Sequence, residues 1–169
     1  MITQLIHLNT YTMKISEILL KYDTDKVRDH HYGDAYDELF NKFDRNAPLN
    51  ILEIGTQKGG SLCAWQDYFP NAKITGVDIV DVVKPEYRRD NITYIVSDIK
   101  DWQTDEMYDI IIDDGSHFAL DVAWVIKNYK DKVKNGGLFL VEDIQDTSLW
   151  GGYELIRTGD NYDDVILIV

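Results

Sequence analysis

The chain has 169 residues, 30 of them acidic and 17 basic, for a formal net charge of −13. That length suits one domain with a real core and is short for two, and a hydrophobic content of 44% marks a globular rather than a disordered chain. So acidic a surface repels phosphate backbones and anionic lipid, which argues against nucleic acid or membrane as main partner. A neutral or cationic small molecule fits better, and basic pairs such as Arg88-Arg89 could bind an anion locally.

The single cysteine, Cys63, allows no intramolecular disulfide and no cysteine-rich metal site. It lies in Ser61-Leu62-Cys63-Ala64-Trp65, where a small core residue is expected. The first residues, Met1 to His7, lack a basic region followed by a long apolar run, and no stretch reaches the length of a membrane span. A cytoplasmic protein is expected, with a homo-oligomer left open.

In chain order, Ser16 to Tyr22 and Asp34 to Phe43 read as helices. In the second, Ala35, Leu39, Phe40 and Phe43 share one face, with Asp34 as the expected N-cap. Between them runs a polar stretch, Asp23 to Gly33. A turn at Asn46-Ala47-Pro48-Leu49-Asn50 separates this preface, residues 1–46, from residues 47–169 within a single domain.

Beyond the turn the pattern changes. Short apolar, β-branched runs recur at Ile51 to Ile54, Ile74 to Val77, Ile92 to Val96, Ile110 to Ile112 and Leu138 to Val141. They are continuous rather than alternating, as in strands buried on both faces of a parallel sheet. Helical segments separate several of them. The clearest is Phe118 to Lys134, with Gly136-Gly137 as its expected stop. Two further strands, Tyr153 to Arg157 and Val165 to Val169, flank a turn-rich segment and predict a hairpin. The expected fold class is α/β: a doubly wound, mostly parallel seven-stranded sheet, Rossmann-like, closing with a C-terminal antiparallel hairpin.

The first strand leads into Gly55-Thr56-Gln57-Lys58-Gly59-Gly60-Ser61, a glycine-rich turn at the ligand-binding edge of such a sheet. Three ligands compete for it. A nucleoside triphosphate needs a lysine where Ser61-Leu62 stands. A dinucleotide expects Gly-x-Gly-x-x-Gly, which Thr56-Gln57 interrupts. S-adenosylmethionine (SAM) has no phosphate to cradle, and Glu53 stands where an acid could meet its ammonium group. The next strand ends in Asp78, placed for ribose hydroxyls in NAD and SAM alike, and the third is followed by Asp98, placed for an adenine amino group. Each acid alone could simply cap a strand end; three behind one glycine turn favour ligand binding.

Ile112-Asp113-Asp114-Gly115-Ser116-His117, together with Glu53-Ile54-Gly55 and Val141-Glu142-Asp143, resembles the class I SAM-dependent methyltransferases. More narrowly, the chain resembles the metal-dependent sugar O-methyltransferases of macrolide biosynthesis, with the cephalosporin hydroxylase-like proteins as a related group. Thr24-Asp25-Lys26 with His31-Tyr32, and Leu149-Trp150-Gly151-Gly152, extend the likeness across roughly residues 22–152.

The resemblance implies O-methylation of a hydroxylated small molecule, with a sugar as one candidate. It implies SAM binding by Glu53, Gly55, Asp78 and Asp98, with Thr24 and Asp113 as further cofactor-side candidates. It implies Mg²⁺ held by Asp114, Glu142 and Asp143, with His117 as general base. The physical logic runs alongside: carboxylates crowded at neighbouring strand ends repel one another, and a hard cation with oxygen ligands compensates them. The bland alternatives are that Asp113 to Ser116 cap the next helix and that Glu142-Asp143 is a solvated strand end. The preface is expected to form a lid.

Trp65 and Trp124 are expected in the core and Trp150 near the acceptor, while His7, His30 and His31 read as surface or solvated loop. The region after the fifth strand is short, so a SAM-binding module or subunit without a complete acceptor site is the alternative function.

Overall fold

The computed structural model describes residues 13–169. The expectations for the first residues, His7 among them, lie outside that range. Among the described residues, two helices, α1 (Ile15–Leu19) and α2 (Gly33–Phe40), precede the sheet. Then follow β1 (Asn50–Ile54), α3 (Gly60–Tyr68), β2 (Lys73–Asp78), β3 (Ile92–Val96), β4 (Tyr108–Asp113), α4 (Ala119–Tyr129), β5 (Val133–Val141), β6 (Glu154–Arg157) and β7 (Val165–Ile168). The strands form one seven-stranded sheet in the order β3-β2-β1-β4-β5-β7-β6. β1 to β5 pair in parallel, and β7 runs antiparallel to both β5 and β6. The expected hairpin therefore closes the sheet, with β7 inserted between β5 and β6.

Strand pleat distributes the apolar runs over two faces. Ile51, Ile74, Ile110, Ile112, Leu138 and Leu140 face one core, shared with α1, α2 and α3. Leu52, Ile54, Val77, Ile111, Phe139 and Val141 face the other, shared with α4. The central strands are covered on both sides, which is why their runs are continuous. Trp65 of α3 is fully buried against Tyr36 and Phe40 of α2. The preface is thus part of the core: Ile15, Ile18, Leu19, Tyr32, Tyr36 and Phe40 are each at most 1% exposed.

Several local expectations are corrected. The α2 N-cap is Tyr32, and Asp34 lies in the first turn, where its charge suits the helix dipole. The helix expected over 118–134 ends at Tyr129, and Gly136-Gly137 lie inside β5. A register shift opposite Tyr108 and Ile110 accommodates them. Trp124 is only partly buried, and Trp150 is a core residue, 8% exposed. Among the described residues, no helix is long and apolar enough to cross a membrane.

Candidate active site

The ladder of backbone hydrogen bonds continues past the strand ends: Gly55 N donates to Val77 O, Asp114 N to Ile54 O, and Glu142 N to Asp113 O, at 2.8, 2.8 and 2.9 Å. These bonds bring the ends of β1, β2, β4 and β5 to one edge. Gly55 allows the closest approach. Its φ is +82°, and a Cβ there would lie 2.0 Å from the Asp114 carbonyl oxygen, so only glycine fits.

One side of this edge is an open cleft of about 410 Å³. Gly55, Asp78, Asp98 and Asp113 line it, as do Ile79, Ile99, Val122 and Val125, and Asp114 stands between it and the neighbouring cluster. That combination of apolar wall and few acids suits a small organic ligand. Asp78 Oδ2 accepts from Thr56 N and Gln57 N at 2.8 and 2.9 Å, so it also sets the shape of the glycine turn. Asp98 Oδ1 accepts from Lys100 N. Asp113 Oδ2 is buried without a hydrogen-bond partner, and burial pushes the Asp113 carboxyl up to about 7. An unpartnered buried acid beside a cleft, with its carboxyl raised by burial, marks a functional-site candidate.

Glu53 does not line this cleft. Its side chain is fully buried and accepts from Trp65 Nε1 at 2.8 Å, with Lys26 Nζ 3.5 Å from its other oxygen. Burial raises its carboxyl to about 7, against the pull of Lys26. The strand's pleat turns this position toward α3 and the preface, whereas the residues that follow β1 reach the cleft. Thr24 lies in a small polar recess beside the cleft, with Thr56, Gly60, Ser61 and Asp114.

The other side is crowded with the chain's own groups. Asp114, His117 and Asp143 present ligand atoms that all lie within 4.8 Å of one another. His117 Nε2 is 3.9 Å from Asp114 Oδ1 and 3.6 Å from Asp143 Oδ2. Both His117 and Asp143 have left-handed backbone, with φ of +60° and +54°. That conformation costs a non-glycine residue about 1–3 kcal/mol and concentrates at functional sites. Oxygen donors with one imidazole suit Mg²⁺ or Mn²⁺.

Glu142, expected as a third metal ligand, turns inward instead. It accepts from Lys26 Nζ at 2.7 Å and from the Tyr36 hydroxyl. The physical reason is burial: at 1% exposure its carboxylate needs partners, and the preface supplies them. Burial pushes its carboxyl well above the ordinary range, with Lys26 opposing. The Tyr32 hydroxyl donates to Asp143 Oδ1 and accepts from Asp143 N.

Sequence reasoning missed Lys26, Tyr32 and Tyr36 as site residues. Their motif stands out in the sequence, but their contacts with Asp114, Glu142 and Asp143 span 88 to 116 positions. His30, expected in a solvated loop, stacks on the Tyr32 ring and has its Nδ1 3.4 Å from Asp143 and 3.3 Å from Asp164. His31 is exposed, as expected.

No protein-family model matches the chain. Relatives do. It is 32% identical to the 8-demethyl-8-α-L-rhamnosyl tetracenomycin-C 2′-O-methyltransferase of Streptomyces olivaceus over 154 residues, 83% of this chain and 40% of that protein. It is 33% identical to the mycinamicin VI 2″-O-methyltransferase of Micromonospora griseorubida, over 82% of this chain and 38% of that protein. Among solved structures, the mycinamicin-pathway methyltransferase MycE, in complex with Mg, S-adenosylhomocysteine and mycinamicin VI, superposes with a TM-score of 0.69 at 30% identity. That match covers 85% of this chain and 43% of MycE. The chain thus spans about 40% of the length of the curated relatives it matches. Its fold is that of the class I SAM-dependent methyltransferases.

Proposed function

We propose that this chain, a homologue of the macrolide sugar O-methyltransferases, transfers the methyl group of SAM to a hydroxyl of a small molecule, a sugar being the first acceptor class to try. The observation that carries the reading is the pairing of an open, acid-lined cleft with the Asp114–His117–Asp143 group at the same sheet edge. The cleft suits SAM, because Asp78, Asp98 and Asp113 line it and Asp78 keeps acceptor capacity toward ribose hydroxyls. Asp114 and Asp143 suit a divalent cation, with His117 beside them; Glu142 serves the same centre from beneath by holding Lys26.

Bound SAM supplies an electrophilic methyl carbon, and a bound divalent cation lowers the pKa of a hydroxyl it contacts. The chain's own residues do the rest. Asp78, Asp98 and Asp113 hold the cofactor end. His117, whose side chain is a quarter exposed, takes the acceptor's proton, and the Asp143 carboxylate 3.6 Å from its Nε2 stabilises the imidazolium that forms. Residues 22–32 shield the site: Asp23 carries ion pairs to Lys58 at 3.0 Å and Lys84 at 2.6 Å, across the glycine turn.

The test is methyl transfer from labelled SAM to a panel of free and glycosidic sugars, with Mg²⁺ and with chelator, alongside SAM titration. Methylation with Mg²⁺, lost in chelator while SAM binding persists, is the expected result. Full activity in chelator removes the metal role. Absence of SAM binding removes the whole reading.

A further inference from the structure

We infer that Lys26 is the resident cation of the acid cluster: a positioning residue that supplies the acids' counter-charge in the metal-free chain and competes electrostatically with a divalent ion at Asp114. The second half rests on the proposed cation site.

Lys26 is 1% exposed, and its ammonium touches acids from three strand ends. Nζ lies 2.6 Å from Asp114 Oδ2, 2.7 Å from Glu142 Oε2 and 3.5 Å from Glu53 Oε1. An ammonium is taken out of water at large cost, and only close, well-placed acids offset it. The same holds in reverse for Glu53 and Glu142, both at most 1% exposed. Without Lys26, the described residues offer these two acids no other cation: Trp65 and Tyr36 donate to them as neutral groups.

The arrangement also divides the oxygens. Lys26 takes Asp114 Oδ2, leaving Oδ1 turned toward His117. Lys26 and Tyr36 each take one oxygen of Glu142. The open ligand atoms are therefore those of Asp114 and Asp143, with His117 beside them, already placed before an ion arrives. Two consequences follow. Lys26 offsets part of the charge of the three acids it meets, so the metal-free chain folds without a divalent ion. An ion sharing Asp114 with an ammonium is repelled by it, so its affinity is held down and it stays exchangeable.

The test compares wild type, Lys26→Met, Lys26→Arg and Lys26→Met/Glu142→Gln, as full chains. Melting in chelator reads charge compensation; Mn²⁺ binding, followed by the paramagnetic signal of the free ion, reads competition. Lys26→Met is expected to melt lower in chelator, to be restored by Mn²⁺, and to bind Mn²⁺ about tenfold or more tightly than wild type. Lys26→Arg, which keeps the charge, should stay near wild type in Mn²⁺ affinity. The double variant, which loses one charge of each sign, should recover melting in chelator.

An unchanged melting temperature for Lys26→Met, or Mn²⁺ affinity equal to or below wild type, overturns the inference. Should Lys26→Met fold only with Mn²⁺, the inference stands. Should it fold in neither condition, recovery in the double variant supports it and non-recovery overturns it. A wild type that binds no Mn²⁺ sinks the proposed cation site and the competition with it, while melting in chelator still decides compensation.

Discussion

The two halves of the sheet edge are built on opposite plans. The cleft beside β1, β2 and β3 is open, and its acids are tied mostly to neighbouring backbone: Asp78 to the glycine turn, Asp98 to Lys100, Asp113 to Gly115. The cluster beyond β4 and β5 is closed by side chains from far away in sequence: Lys26, Tyr32 and Tyr36. A half stocked with spare acceptors is suited to binding. A half whose acids are individually held, with one imidazole among them, is suited to chemistry.

That division predicts separable losses. The largest concerns His117→Ala, which should lower methyl transfer by about 10²–10⁴-fold, the usual range for a lost general base. Its SAM affinity should remain that of wild type, since its contacts lie with Asp114 and Asp143. Rate measurements with calorimetric SAM titration check both. A large loss of SAM affinity would erase the boundary between the halves.

The mirror experiment is Asp78→Ala. It removes the acceptor for Thr56 N and Gln57 N and the acceptor proposed for ribose, so SAM binding should weaken by about 1–3 kcal/mol. Mn²⁺ binding at the other half should hold. Equal SAM affinity in mutant and wild type would leave Asp78 as a brace for the turn alone.

The smallest effect concerns the strap between the halves. Lys84 and Lys58 hold the Asp23 carboxyl down at about 2. A depressed acid stabilises the fold above its unfolded pKa of roughly 4 and loses that contribution as pH falls through about 2. Protection of residues 22–26 from hydrogen exchange, taken relative to the intrinsic exchange rate at each pH, should therefore fall between about pH 4 and pH 2. In Lys58→Ala/Lys84→Ala the segment should already exchange faster at neutral pH, and addition of SAM should slow it in wild type. Protection indifferent to both pH and SAM would show that the strap closes nothing.

The strands were the part most legible locally. β1 to β5 and the terminal hairpin followed from runs and turn signals of a few residues, because a buried parallel strand and a tight turn each impose a short-range pattern. The glycine turn followed too, since the approach of Gly55 to Asp114 demands a residue without Cβ. The misjudged boundary at Gly136-Gly137 shows the limit of such signals: glycines can end a helix or sit in a shifted strand, and only pairing with β4 decides between them.

The sequence by itself thus determined the layered α/β fold, the glycine turn, and the acids Asp78, Asp98, Asp113, Asp114, Glu142 and Asp143 as occupants of the strand ends. Only the tertiary structure decided which way each acid points. Glu53 and Glu142 turn inward because Lys26, Trp65 and Tyr36 come to meet them, whereas Asp113 keeps an unpartnered oxygen in the cleft wall. The physical reason is that a buried carboxylate takes its orientation from the donors around it, and here those donors lie on segments distant in sequence, which no local pattern encodes.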